Sequence, residues 1–333
     1  PGPGWPSEVY VGVISIRYMF TFLCAEFTAS GRAINQLAGM DPLVPMVMVG
    51  AVTAAYTAYG GLPASLATDR IQAWAIGLLV TTLLLFLFGT DIGQLVDDAK
   101  SYNPGGYEAT WSRGSMSYMG SWESGLALVV AVTAAEKFSQ GNWQRVYASD
   151  NDESLRKGAL LSAAMVFPLV FAMGCLGTVA AGQGGIADPS IAFFYLIDES
   201  GLVVASVLIV LVISLVCSSA DTLQNAIVAS LSRDISDSSM DPQVSRIAPL
   251  AMCPIPIYLA SRPTILGFDF KAWRVFGIFL FADMLAAATV SPVLMTLWGG
   301  VSSRGALIGC VAGFASVAIY GLYEHPADSA FYM

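Results

Sequence analysis

The 333-residue sequence is poor in charge. Asp, Glu, Lys and Arg supply only 12% of it, against a hydrophobic share of 56%. Soluble domains carry about 25% charged residues, so this chain lacks the side chains to cover a water-facing surface. Its mean hydropathy of +0.66 agrees, and lipid is the solvent that accepts such a surface. Cations are scarcer still. The 15 Lys and Arg stand against 24 acids, leaving a formal net charge of −9 and no basic run. That excludes nucleic acid as a partner, because phosphate binding needs clustered Lys and Arg. There is one histidine, His325, beside Pro326. One His makes neither a metal cluster nor a serine triad, so no enzyme and no cofactor is expected. The five cysteines, Cys24, Cys175, Cys217, Cys253 and Cys310, lie in apolar runs without a CxxC pair. They read as small core residues rather than a disulfide framework or zinc site.

What the chain does have is long apolar runs. A bilayer core of ~30 Å needs ~20 mostly apolar residues per helix. Nine runs meet that length: 9–38, 42–60, 66–89, 123–148, 155–182, 201–234, 244–261, 272–298 and 304–323. They predict an all-α membrane protein, a multi-helix bundle forming a single transmembrane domain in a lipid bilayer. Pro249, Pro254 and Pro256 predict a kink in the run 244–261, packed inside the bundle. Turn signals separate the runs at Asp41-Pro42, Gly60 to Pro63, Asn103 to Gly106, Gly182 to Gly185 and Gly299-Gly300. Only the connection 90–122 is long. The acids cluster in loops, as at Asp97-Asp98 and Asp150 to Glu153. Arg70, Arg145, Arg156, Lys157, Arg233, Arg246 and Arg304 flank one alternating set of loops. The other set is longer and holds Lys100, Arg113, Arg262, Lys271 and Arg274 at lower density. The positive-inside rule then predicts a cytoplasmic N-terminus and an outside C-terminus.

Charges within the apolar runs are the candidates for function, since each costs at least ~2.5 kcal/mol at the bilayer centre. They are Glu26, Arg32, Asp69, Glu136, Lys137, Asp221 and Asp283. Arg32 and Asp69 fall near helix ends and can snorkel. Asp283 lies near mid-depth, where it lines a cavity or makes a buried structural hydrogen bond. In 214–225, Ser214, Ser218, Asp221, Thr222 and Asn225 recur at spacings of three and four, one face of a helix. A single polar face in lipid must turn inward. Its oxygens suit a hard monovalent cation, or equally hydrogen bonds between helices. The stretch 133–147 ends an apolar run in Glu136, Lys137, Ser139, Gln140, Gly141 and Asn142. It is either a frayed terminus or a broken helix that offers backbone groups to a ligand. Trp143 and Arg145 fit interface anchors as well.

Three stretches resemble the sodium/solute symporter family. Tyr56-Thr57-Ala58-Tyr59-Gly60-Gly61-Leu62, followed by Thr68-Asp69-Arg70-Ile71-Gln72, is similar to that family's signature between core helices 4 and 5. Gln144-Arg145, Ala148 and Arg156-Lys157-Gly158-Ala159 resemble the link between core helices 6 and 7. Ser218-Ser219-Ala220-Asp221 and Ser232-Arg233-Asp234-Ile235 resemble core helix 8. The resemblance covers nearly the whole chain.

It implies a five-plus-five inverted-repeat transporter fold and alternating access at the plasma membrane. The implied activity is secondary active transport, in which sodium entry drives uptake of a small polar solute: urea, an amino acid or a similar osmolyte. Ser218 and Ser219 would give hydroxyl ligands to sodium, and Leu215 its carbonyl. Asp69 would take part in cation coupling. Ser139 and Gln140 on core helix 6, with Asp283 on core helix 10, would contact substrate. A proton-coupled transporter, or a non-transporting sensor or interaction subunit on the same fold, is the alternative. The pattern 281–292 faintly resembles the urea-transporting branch, and Phe138 to Gly141 departs from the sugar-transporting one. The chain starts where core helix 3 should start, so the expectation is a fold truncated at the N-terminus that lacks core helices 1 and 2 and does not transport alone.

Overall fold

The computed structural model describes residues 5–89, 119–183, 189–198, 201–235, 242–261, 275–296 and 300–324, with isolated positions in 91–100 and 264–269. Helix α1 runs over Trp5–Ala38 and α2 over Leu43–Gly89. Then come α3 (Met119–Ala135), a 3-10 turn (Glu136–Phe138), α4 (Gln140–Tyr147) and α5 (Asp152–Gln183). Short α6 (Ala192–Asp198) precedes α7 (Leu202–Ser230), which ends in a π turn over Leu231–Ile235. The chain continues through α8 (Pro242–Met252), α9 (Pro254–Ser261), α10 (Val275–Met295) and α11 (Ser303–Glu324). One two-residue antiparallel pair joins Thr264–Ile265 to Phe268–Asp269.

Among the described residues five helical stretches are long and apolar enough to cross a membrane: Val9–Ala38, Leu43–Thr82, Asp152–Gly177, Val203–Arg233 and Ser303–Tyr320. Arg246–Ser261 and Ala282–Met295 are apolar but shorter. The runs 42–60 and 66–89 are one helical assignment, yet Gly61 breaks it with φ 55° and ψ −142°. Only glycine adopts that backbone freely, and Pro63 removes a further helical N–H just beyond it. The run 123–148 breaks at Ser139, whose backbone is extended. The kink expected in 244–261 falls at Cys253, between α8 and α9. The loop 183–200 contains α6, which the sequence did not signal. The 90–122 loop, its turn at 103–106 and His325 lie largely or wholly outside the described residues.

Helix α1 sits at the centre and packs on α2, α7, α9 and α10. Tyr18, Met19, Leu23 and Phe27 of α1 meet Ala220, Leu223, Ala226 and Ile227 of α7 and Ala282 and Ala286 of α10. Small residues at these contacts let helix backbones approach, which is how helices associate when lipid gives no hydrophobic drive. Phe22 links α1 to α10 edge-on to Phe279, with ring centroids 4.6 Å apart. A second cluster joins Leu79 of α2, Leu176 and Ala180 of α5, Phe193 of α6 and Leu208 of α7. The large apolar side chains left outside, among them Ile71, Trp74, Phe167 and Val210, are strongly exposed. Lipid is what such a surface needs around it.

Candidate functional site

The break at Gly61 sets the geometry of the polar core. Beyond it, Ser65, Thr68 and Asp69 recur at spacings of three and four and so share one face of α2, turned toward α7. Opposite them α7 presents Ser218, Asp221 and Thr222. Asp221 is fully buried. Its Oδ2 accepts from the hydroxyls of Tyr56 at 2.5 Å and Thr68 at 3.2 Å. Its Oδ1 accepts from Ser65 at 2.7 Å and Thr222 at 3.2 Å. Burying a carboxylate in a bundle requires such donors. One turn deeper in the same helix pair, the Gln224 amide donates to Thr53 at 3.0 Å.

Asp69 is held from two sides. Ser218 Oγ donates to its Oδ1 at 2.8 Å, and Arg145 Nη2 donates to its Oδ2 at 2.8 Å. The same Arg145 nitrogen reaches Thr222 Oγ1 at 2.6 Å. Asp69 and Arg145 are half-buried, so the pair is shielded from solvent but not sealed. Arg145 is therefore no interface anchor: α4 carries it inward against α7. Gly141 permits this approach, because a Cβ there would lie 2.5 Å from Thr222 Cγ2.

The residues named for sodium fall on two sides of α7. Ser218 points to Asp69, as above. Ser219 donates to the Leu215 carbonyl at 3.4 Å and is a hydrogen-bonding partner of the Glu26 carboxyl on α1. Ser218 and Asp69 thus pair on the α2 side, while Ser219 and the Leu215 carbonyl lie on the α1 side with Glu26, an added acid that the sequence marked only as an intramembrane charge.

The residues named for substrate are spread more widely. Ser139 is buried at the break between the 3-10 turn and α4. Just before it, Glu136 accepts from Tyr18 Oη at 3.2 Å and from the Asn142 amide. Asp283 is 3% exposed, and its Oδ1 has no hydrogen-bond partner. Its charged neighbour is Glu136, and both acids act on Tyr18. Among the described residues neither acid has an ion pair. Gln140 instead lines a cavity of about 380 Å³ with Tyr10, Thr296 and Ser303. Ser139 and Asp283 are not on its wall. The partners that sequence reasoning missed are Tyr18 and Ser65, while Asn142 was named only within the polar stretch 133–147. The three-and-four spacing of Ser65, Thr68 and Asp69 was available as a signal for one of them.

The bundle breaks its helices at Gly61 and Ser139 and turns hydroxyls and acids inward. The chain belongs to the Sodium:solute symporter family, whose profile matches residues 7–313. It is 26% identical to the "Spermidine transporter DUR31" of Candida albicans, over 97% of this chain and 60% of that protein. It is 22% identical to the "High-affinity proline transporter PutP" of Bacillus subtilis, over 94% of this chain and 67% of that one. A shorter match, 31% identical, joins 31% of the chain to 14% of "Sodium/glucose cotransporter 1" of Mus musculus. The chain thus spans about 60% of the length of the first of these relatives.

Proposed function

We propose that this chain is the transport domain of a sodium-driven importer of a small polar solute, working by alternating access on a five-plus-five inverted-repeat fold with nine spans. The observation that carries it is the inward polar face of α7, where Ser218 and Ser219 meet acids from both α1 and α2. The candidate ligands are all oxygen: the Ser218 hydroxyl with the Asp69 carboxylate on the α2 side of α7, and the Ser219 hydroxyl, Leu215 carbonyl and Glu26 carboxylate on the α1 side. Hard cations take such ligands. Sodium arriving there would compete with Arg145 for Asp69, which gives a route from ion binding to movement of α4. Because α4 starts at the Ser139 break, that movement would reach Ser139, Gln140 and, through Glu136, Asp283.

Among the groups proposed to face the solute, the two acids Asp283 and Glu136 offer acceptors. Asp283 Oδ1 is unfilled and Glu136 stands near it. That favours a solute rich in N–H donors, as urea, an amino acid and the spermidine of one relative all are. The plasma membrane is the proposed location.

The test is uptake of labelled spermidine, proline and urea into vesicles carrying the protein with all of its flanking coding sequence. Each is run with an inward sodium gradient and with potassium in its place. Sodium-dependent uptake of one of them is expected, and it should lose its sodium dependence in the Ser218→Ala, Ser219→Ala double variant. Unchanged sodium dependence in that variant would refute the ion site. Uptake driven by a pH gradient alone would replace sodium with a proton.

A further inference from the structure

A second cavity, of about 570 Å³, opens where the Gly61 break meets the ends of α7 and α8. Its wall includes Thr57, Gly61, Gln144, Asn225, Arg233 and Arg246. Three features distinguish it from the polar core. Every polar side chain on the wall is a donor or neutral, and no Asp or Glu lines it among the described residues. Two guanidinium groups come from different elements, Arg233 from the π turn and Arg246 from α8. Two wall residues also carry buried polar atoms with no partner: Thr57 Oγ1, on a residue 2% exposed, and Asn225 Nδ2.

A wall whose described residues carry two guanidinium charges, amide and hydroxyl groups and no acid attracts an anion. The planar fork of Arg fits phosphate and carboxylate oxygens, often two at a time. A single carboxylate neutralises one guanidinium only, whereas a phosphate group can meet both. The volume also exceeds what one carboxylate fills. Both arginines belong to the loop set that the distribution of Lys and Arg places in the cytoplasm, the side where anionic lipid headgroups concentrate.

We propose that this cavity binds a phosphate group, held between Arg233 and Arg246 with Gln144, Asn225 and Thr57 at its wall. The site is separate from the proposed ion and solute positions, so it stands or falls independently of sodium-driven transport. The phosphate has two possible sources, an anionic lipid headgroup or a soluble phosphate. A group bound there would bridge α7 and α8 beside the Gly61 break and oppose their separation.

The test uses the protein with its flanking coding sequence, purified into nanodiscs. One arm compares discs of phosphatidylcholine alone with discs containing phosphatidylinositol bisphosphate, counting retained lipid by native mass spectrometry. The other arm titrates inorganic phosphate and follows binding by calorimetry. Retention of the phosphoinositide over phosphatidylcholine is expected, with affinity falling about tenfold or more in Arg233→Gln and in Arg246→Gln, the scale of one charged hydrogen bond. Arg246→Lys should fall less than Arg246→Gln. Saturable binding of inorganic phosphate with the same arginine dependence supports the site with a soluble source, and lipid binding alone supports the headgroup. The proposal is overturned if neither probe binds, or if both Gln variants bind as the parent does. Both arginines are exposed, so the Gln variants should keep the parent's melting temperature, which makes loss of binding interpretable.

Discussion

Removing Asp221 should destabilise the protein far more than neutralising it. Four hydroxyls donate to this carboxylate, but three have a second acceptor. Thr68 also donates to the Ser65 carbonyl at 2.8 Å, Thr222 to the Ser218 carbonyl at 2.8 Å, and Tyr56 to the Cys217 carbonyl at 3.3 Å. Among the described residues Ser65 has Asp221 alone. In Asp221→Ala, one buried hydroxyl is stranded, the short Tyr56 bond is exchanged for a long one, and a small cavity opens. Together these amount to about 3–5 kcal/mol. Asp221→Asn keeps the volume and one carbonyl acceptor, and hydroxyls can rotate to accept from the new amide, so it should cost about 1–2 kcal/mol. Ser65→Ala leaves Asp221 with three donors and should cost about 1 kcal/mol. The assay is unfolding of the lipid-reconstituted protein in a titration of sodium dodecyl sulfate, followed by tryptophan fluorescence. Equal losses in the Ala and Asn variants would refute the hydroxyl cage as the reason Asp221 is tolerated in the bundle.

The Arg145–Asp69 pair should show coupling. Arg145→Gln and Asp69→Asn each lose about 1–3 kcal/mol, set by their half-buried state, while the double variant loses less than the sum in the same unfolding assay. Additive losses would show that the two do not interact. At the α2 break, Gly61→Ala should destabilise by about 1–3 kcal/mol, because φ 55° with ψ −142° is a glycine-only conformation. An unchanged unfolding midpoint would mean that the helix does not need this break.

The sequence foretold helices where apolarity is continuous. The runs 9–38, 155–182 and 304–323 end within four residues of the ends of Trp5–Ala38, Asp152–Gln183 and Ser303–Glu324. There, a single physical requirement, covering backbone polar groups in lipid, fixes both the type and the length of the element. It foretold less where a helix is interrupted. A glycine and a nearby proline mark Gly61, whereas the polar stretch 133–147 left a frayed terminus and a broken helix equally open, and Phe138-Ser139-Gln140 does not single out Ser139 as the extended residue. Contacts distant in sequence flank the break, Tyr18 on Glu136 and Gly141 against Thr222, together with the local bond from Asn142 to Glu136. The same limit applies at the site. The spacing of Ser218, Asp221 and Thr222 showed that they share a face. It could not show that Arg145 would reach Asp69 across 76 positions of chain, because pairing between helices is decided by packing. Ser218 and Ser219 are adjacent, so a helix points them about 100° apart. The family resemblance grouped them as ligands, whereas the fold sends one to α2 and the other toward α1.

Three buried or half-buried acids stand in three different environments, and the difference says which of them has room for a ligand. Asp221 is filled by four hydroxyl donors, which makes it a joint between α2 and α7. Asp69 is neutralised by Arg145 and receives one hydroxyl. It can change partners if a cation replaces the guanidinium, since its oxygens keep unused lone pairs. Asp283 is buried with one oxygen unfilled and another acid as its charged neighbour. An unfilled acceptor in a dry bundle carries an uncompensated desolvation cost. A donor brought there relieves that cost as well as forming its own bond, so it gains more than it would on Asp221, where it would displace a hydroxyl already in place. Under the proposed function, Asp283 is the one of the three at which an arriving N–H would be held most strongly, while Asp69 is the one at which an arriving cation would move the protein.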